Sequence, residues 1–429
     1  MTKRRKISLA AVPLAVGLAA LSVGLSARAA PTASQASCSF TLRIGNVLPF
    51  TGDLAAYGSN LDRAVKLAVD LQNEALASAG LGGAASVELV ASEDGQTQAS
   101  ASVEAATKLV KSDKVNVIIG EMASSATIPM AQSVTIRNKI VQISPTSSAP
   151  QISTLKDNGY LWRTYPSDAL QGKVLAQAAV EAFGKGATVN VGARNDAFGS
   201  ALLKLFRTEY MKRGGKIGKS VSWNPTQANF DTEAQKLVDG DPAGWVIIDF
   251  PDTFEKFAPS LVRSGKWDAA KTLMTEALRN KDVLAKIGAP VNGLRGTAAS
   301  AAGGPAGTAF AAYWKAQVKG AKSYTSFEGT ALDAANVAFL AAVRACSSSP
   351  AKIKANLRAV SGPPGTKVNF RTLGKAVKLL LASKEVDYEG AFSPVDFDPN
   401  GDIGSAVFEI WKNDGAGKIS TLKTITFKG

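Results

Sequence analysis

Between Val115 and Pro150 the apolar positions fall into two short β-branched runs with a helical spacing between them. Val115, Val117, Ile118 and Ile119 make the first run, and Ile140, Val141 and Ile143 the second. Short β-branched runs of this kind predict strands buried on both faces, as in a parallel sheet. From Thr127 to Asn138, Ile128, Ala131 and Val134 share one helical face. Strand, loop, helix and strand in this order predict a right-handed βαβ unit. The alternation continues on both sides. Thr41–Leu48 and Val87–Val90 predict strands. Leu61, Val65, Ala68 and Val69 form a helical stripe, and Val103, Ala106, Leu109 and Val110 another. Ser59-Asn60-Leu61-Asp62 reads as a capping-box start for the first of these helices.

Tyr160–Pro166 predicts a strand leaving this first group, and a second alternating series follows. Its strands are expected near Thr188–Ala193, Ile217–Trp223, Trp245–Phe250 and Thr272–Thr275. Its helices are expected near Asp168–Phe183, Ser200–Arg213, Asp231–Val238, Phe254–Ser264 and Lys281–Ile287. Gly293–Gly304 is rich in small residues and is expected to cross back. Phe310–Val318 and Gly329–Ala345 predict helices, the second alanine-rich and therefore expected to be buried against a sheet. With 429 residues, the chain is too long for one ordinary core, which predicts two α/β lobes.

In a parallel sheet, the loops after the carboxyl ends of the strands face the ligand crevice. Ser124, Ser125, Thr146, Ser147 and Ser148 follow the two central strands, so they are expected side by side at one sheet edge. Their hydroxyls, with free N–H groups at helix starts, suit a small carboxylate or other anion. The alternative is that they only cap helices.

The first thirty residues read differently. Lys3, Arg4, Arg5 and Lys6 precede an apolar stretch from Ile7 to Leu25, and Ala27-Arg28-Ala29 fits a cleavage site. A transmembrane anchor is the alternative, but Pro13, the glycines and the small-residue exit favour a signal peptide over residues 1–29. Gln35 stands where a lipid-attachment motif before Cys38 would need leucine. The mature chain is expected to begin near Ala30 and to work in the periplasm. Cleavage removes five basic residues (Lys3, Arg4, Arg5, Lys6 and Arg28), so the formal charge falls from +14 to +9. The remaining basic residues are dispersed, with no basic run interleaved with aromatics, which argues against nucleic acid.

With no histidine anywhere, Ser-His-Asp and Cys-His catalysis and histidine-ligated zinc are excluded. Neither a phosphate loop nor a G-x-G-x-x-G fingerprint is present, and no cofactor is expected. Carboxylate-pair chemistry is open to any such composition, and no pair stands out. Asp396, Asp398, Asn400 and Gly401 imitate the start of a calcium-binding loop. Its twelfth position is Val407, where a bidentate glutamate is needed, so the stretch reads as a tight turn. The only two cysteines, Cys38 and Cys346, are a candidate disulfide in an oxidising compartment. Two separate thiols is the alternative, because sequence does not fix their distance.

With these residues in view, the chain resembles the solute-binding proteins of branched-chain amino acid ABC transporters. The landmarks are TGDLAAYG at 51–58, IIGEMASSAT at 118–127, QISPTSSAP at 142–150, RNDAFGSAL at 194–202 and SPVDFDPNGDI at 393–403, with PPGTK at 363–367 and DYEG at 387–390. The resemblance implies a type I periplasmic-binding fold of class α/β. Two doubly wound Rossmann-like lobes would be joined by a three-strand hinge, with the ligand between them. Lobe 1 would take residues 40–165 plus 299–391, and lobe 2 residues 166–298 plus 392–429. It implies that Ser124, Thr146 and Ser148 hold the ligand's α-carboxylate, that Tyr57 lies in the first loop, and that Glu276 on the second lobe holds the α-ammonium. Phe198 stands where the family often has tyrosine, and Leu332 where an aromatic is common. Both put a standard leucine or valine specificity in doubt. Tyr57, Phe198 and Phe250 read equally as core aromatics. The implied partners are a small amino acid or similar solute and a membrane permease, with the protein itself a monomer. A ligand sensor of the same fold and an exported hydrolase are the competing functions.

Overall fold

The computed structural model describes residues 38–301 and 305–428. The signal-peptide segment Met1–Ala29 and the end of the Gly293–Gly304 stretch lie outside the described residues. No described helix is long and apolar enough to cross a membrane.

The first sheet contains β1 (Phe40–Leu48), β2 (Ala85–Asp94), β3 (Val117–Gly120), β4 (Val141–Ser144) and β5 (Leu161–Arg163). Its order is β2-β1-β3-β4-β5, and every pair is parallel. All four residues of β3 and all four of β4 are buried; β3 is apolar throughout, whereas β4 also buries Gln142 and Ser144, which hydrogen-bond to Thr135 and to the Gly120 and Glu121 carbonyls.

The second sheet takes β6 (Thr188–Arg194), β7 (Lys216–Trp223), β8 (Gly244–Ile248), β9 (Thr272–Met274) and β10 (Arg295–Ala299). A separate two-stranded sheet pairs β11 (Thr366–Val368) with β12 (Val386–Tyr388). The chain then returns to the second sheet as β13 (Ser405–Asn413) and β14 (Ile419–Lys428), which pair antiparallel at its edge. The order is β14-β13-β10-β9-β8-β6-β7. In each sheet the first strand lies between the second and the third. The strand order therefore reverses beside the first strand, and the crevice outside the carboxyl ends opens there.

The first βα turn is built alike in both sheets. After β1, the helix Ala55–Ser78 carries Tyr57-Gly58 in its first turn, and after β6 the helix Ala197–Lys212 carries Phe198-Gly199. A Cβ on Gly58 would sit 2.2 Å from the Pro49 carbonyl oxygen, and one on Gly199 2.1 Å from that of Arg194. Only glycine lets the helix start this close to its own strand, and the aromatic before it is thereby aimed at the crevice.

The first helix begins at Ala55, not at Ser59. The expected capping box fails because its polar residues are used elsewhere. The Asn60 amide donates to Glu328 at 2.7 Å, and Asp62 accepts from Asn46 at 3.1 Å and from Ser92. The helical stretch after β3 is Ser124–Met130, then a π turn Ala131–Thr135, then Ile136–Asn138, with Pro129 inside it. The helix Phe327–Ala345 is buried from Phe327 through Val343.

Two buried groups tie the chain crossings to the sheets. Arg163 Nε and Nη2 donate to Asp402 Oδ1 and Oδ2 at 2.7 and 2.9 Å, and Nη1 donates to the carbonyls of Ser147 and Ala149. Asp333 accepts from the N–H groups of Ala391 and Phe392 and from the Tyr388 hydroxyl, at 2.7, 2.9 and 2.8 Å. Around Asp398 the stretch is a turn: Oδ1 accepts from the N–H groups of Asn400 and Asp402. Among the described residues no cluster of acidic, histidine or cysteine side chains could hold a metal ion. Cys38, just before β1, is bonded to Cys346 at the end of the long helix, with Cα atoms 5.3 Å apart.

Candidate functional site

The loops after β1, β3 and β4 meet those after β6, β8 and β9 around a small cavity of about 20 Å³. That is about the room one water needs, so the site is nearly closed on itself. Leu54 comes from the first loop, Met122, Ala123 and Ser124 from the second, and Thr146 and Ser148 from the third. The second sheet adds Phe198, Phe250, Glu276 and Ala277, and Phe327 comes from the start of the long helix. The site is therefore made by the strand ends of both sheets.

One end of the cavity is apolar. Phe198 and Phe250 stack with centroids 5.1 Å apart and planes 17° apart. Behind them the Arg194 guanidinium lies 3.8 Å from the Phe250 centroid, a cation–π contact that fixes the wall. Arg194 in turn holds Asp196 and, from the first sheet's side, Asp53, each at 2.6 Å. Asp196 caps the helix that carries Phe198 by accepting the Gly199 N–H at 2.9 Å. Arg194 also lies 3.6 Å from Asp249, whose carboxyl is pushed up to about 8 by burial despite the guanidinium's opposing pull.

At the polar end the hydrogen-bond directions matter. The Thr146 hydroxyl donates to the Met122 carbonyl at 2.8 Å, and the Ser148 hydroxyl to Asp168 Oδ2 at 3.1 Å. Both protons are spent inside the protein, so these two oxygens have only lone pairs left to offer. Ser124 is the reverse. Its oxygen accepts the Ala149 N–H at 3.1 Å, and its proton stays available. Glu276, 6% exposed, accepts from the Gln171 amide and has no cationic partner among the described residues. Burial pushes its carboxyl up to about 7.

Of the residues named from sequence, Ser124, Thr146, Ser148, Phe198, Phe250 and Glu276 are brought together around the cavity. Four others are not in its lining. Tyr57 stands beside it, edge-on to Phe327 at 5.2 Å, and its hydroxyl reaches across to the Ala277 carbonyl at 2.6 Å. Ser125 is half-buried outside the lining. Ser147 turns toward Thr127 and the carbonyls of Glu121 and Met122. Leu332 is fully buried in the long helix.

Leu54, Met122, Ala123, Ala277 and Phe327 line the cavity without a sequence signal, since apolar and small residues at loop ends look like core. Asp168 and Gln171, which are not in the lining but hold Ser148 and Glu276 from behind it, had one. Ser167-Asp168 followed by Gln171 starts a helix with two polar groups on one face, and Ser167 does cap it, accepting from the Ala169 N–H at 3.3 Å.

The sequence profile of periplasmic binding proteins matches residues 41–400. The chain belongs to the periplasmic binding protein family. Family members of this type are solute-binding proteins, and the fold is the type I periplasmic-binding fold. The substrate-binding protein BasB of a chemotactic signal transduction system in Halobacterium salinarum is 25% identical over 362 residues, 82% of each chain. Among solved structures, the leucine binding protein LivK of Thermotoga maritima superposes with a TM-score of 0.72 at 21% identity, covering 90% of this chain and 98% of that one. An ABC-transporter solute binding protein of Rhodopseudomonas palustris, in complex with 3,4-dihydroxybenzoic acid, gives 0.68 at 19% identity, with coverage of 90% and 97%. At such identities these two structures speak for the fold alone.

Proposed function

We propose that the chain works outside the cytoplasmic membrane as a solute-binding protein. It captures an α-amino acid with an apolar side chain and presents it to the permease of an ABC transporter, without transforming it. The observation that carries this reading is Glu276: a buried carboxylate, without a cation, in the lining of a cavity that also holds hydroxyls and stacked aromatic rings. A buried carboxylate is costly unless something positive meets it, and a ligand ammonium meets that need. The free proton of Ser124 suits the ligand's carboxylate. The lone pairs of Thr146 and Ser148 suit its ammonium, which moves these two residues from the carboxylate end, where the resemblance alone put them. Phe198, Phe250, Phe327, Met122 and Leu54 supply apolar lining against which the side chain would pack once the cleft opens.

Titration calorimetry of the purified mature chain decides the ligand class. L-leucine, L-isoleucine, L-valine and L-phenylalanine are tested beside benzoate and 4-hydroxybenzoate, followed by analysis of the recovered ligand. Saturable one-to-one binding of an amino acid recovered intact is expected. Preference for the benzoates, or a chemically altered ligand, would overturn the reading. A sensory role has one observation in its favour: the relative matched over 82% of both chains is named for chemotactic signalling. Ligand-dependent stimulation of a cognate transporter's ATPase in proteoliposomes supports delivery, and its absence supports sensing.

A further inference from the structure

Asp168 opens the helix Asp168–Phe183 and is fully buried. Its N–H donates to the Ser148 carbonyl at 2.8 Å, and its Oδ2 accepts from the Ser148 hydroxyl at 3.1 Å. Its Oδ1 is buried without a hydrogen-bond partner among the described residues. Ser148 is thus tied to Asp168 twice. A hydroxyl has one proton, and once Asp168 holds it, only lone pairs remain for the cavity. Lone pairs attract an N–H donor and repel a carboxylate. One turn further along the same helix face, the Gln171 amide donates to Glu276. A single helical turn therefore reaches a hydroxyl from a loop of the first sheet and a carboxylate from a loop of the second.

We propose that Asp168 is the positioning residue that decides the ligand's class: by holding the Ser148 proton it turns that hydroxyl into an acceptor, which favours ligands bearing a protonated amine over amine-free carboxylates. The inference rests on the amino-acid reading of the site given above. The charged groups that face Asp168 are Glu276 and Arg163. Arg163 is engaged by Asp402 on two nitrogens, so its charge is largely committed. Burial first, and then Glu276, hold the Asp168 carboxyl well above the usual range. A ligand ammonium in the cavity counters both causes and keeps Asp168 an acceptor.

Replacing Asp168 with asparagine tests this. An amide nitrogen at that place donates to Ser148, which turns the serine proton toward the cavity. Calorimetry, with competition for weak binders, compares L-leucine with 4-methylpentanoate, the same carbon skeleton without the amine. In the wild type leucine is expected to bind more tightly. Asp168→Asn is expected to shrink that preference about tenfold or more, with 4-methylpentanoate unchanged or improved. Ser148→Ala should shrink it too, and adding Asp168→Asn to Ser148→Ala should change it little further. Should the asparagine variant not fold, Asp168→Ser keeps a helix-starting hydroxyl and is scored by the same ratio. If a folded variant loses both ligands equally, or neither, Asp168 is only structural and the inference fails. If the wild type itself shows no preference for leucine, the amino-acid reading fails first and takes this inference with it.

Discussion

Ser124 has its oxygen occupied by the Ala149 N–H, while its proton finds no acceptor among the described residues. A hydrogen bond to a charged group contributes about 1.5–3 kcal/mol. Ser124→Ala is therefore expected to weaken amino-acid binding tenfold or more in calorimetry. It should lower stability only by about 1 kcal/mol, for the N–H left without its acceptor. Unchanged affinity would reduce Ser124 to a loop brace. Glu276→Gln removes the charge but keeps the shape and the contact with Gln171. It should cost L-leucine much more than 4-methylpentanoate, and equal losses would detach Glu276 from the ligand's amine. The residue types around the cavity were legible in the sequence because hydroxyls gathered after two short buried strands fall at the carboxyl-end crevice of a parallel sheet, although helix capping was an equal use. The directions of their hydrogen bonds were not. Ser147 and Ser148 are adjacent and chemically identical, yet one faces Thr127 and the other the cavity. Only the packed loop, clamped by Arg163 on the Ser147 and Ala149 carbonyls, decides between them.

At the scale of elements, the parallel strands were the most legible part, since burial on both faces concentrates β-branched apolar residues in short runs. The start of the first helix was not, because nothing local sets it. Leu54, the residue before it, makes no side-chain cap, and its N–H is held instead by the Thr97 hydroxyl at 3.1 Å. The antiparallel edge β13–β14 was not read either, being split between a buried strand and a largely exposed one. The Cys38–Cys346 bond joins two such elements, the entry to β1 and the end of the long helix, across a sequence separation of 308. A link spanning that much chain restricts the unfolded state strongly, by roughly 6 kcal/mol in the chain-entropy account. Cys346 is exposed, so mild reductant can reach the bond. Reduction, or replacement of both cysteines by serine, is expected to lower the denaturation midpoint clearly while leaving ligand affinity alone, because neither cysteine lines the cavity. An unchanged midpoint would show that the unfolded chain is already compact without the link.

At the scale of the whole molecule, the cavity is shut. Ser124, Ser148, Phe198 and Glu276 are all buried, and Tyr57–Ala277 and Asp53–Arg194 bridge its two sides. A ligand reaches these groups only if the sheets part. We expect the hinges at Thr164–Ser167, Gly296–Ala301 and Ala391–Pro394, where a few residues can absorb the backbone change. Closure also carries a proton cost that follows from the site itself. Shutting the empty cavity buries Glu276, whose carboxyl rises to about 7, and Asp168, whose carboxyl burial and the Glu276 charge also hold well above the ordinary range. In the open form both meet water and are expected to return toward the ordinary carboxylate range. The closed form then binds more protons than the open one between that range and about pH 7. Linkage fixes the sign: lowering the pH through this window favours the empty closed form, and raising it favours opening. A ligand ammonium supplies the missing positive charge, so the liganded protein should close at either pH. Small-angle scattering checks all three states. The unliganded protein is expected to have a larger radius of gyration at pH 8 than at pH 5, and saturating amino acid should bring the pH 8 value down to the compact one. A radius that ignores both pH and ligand would mean that the sheets do not part as bodies. A radius that responds to ligand alone would leave the hinges standing and remove the two carboxylates from their control.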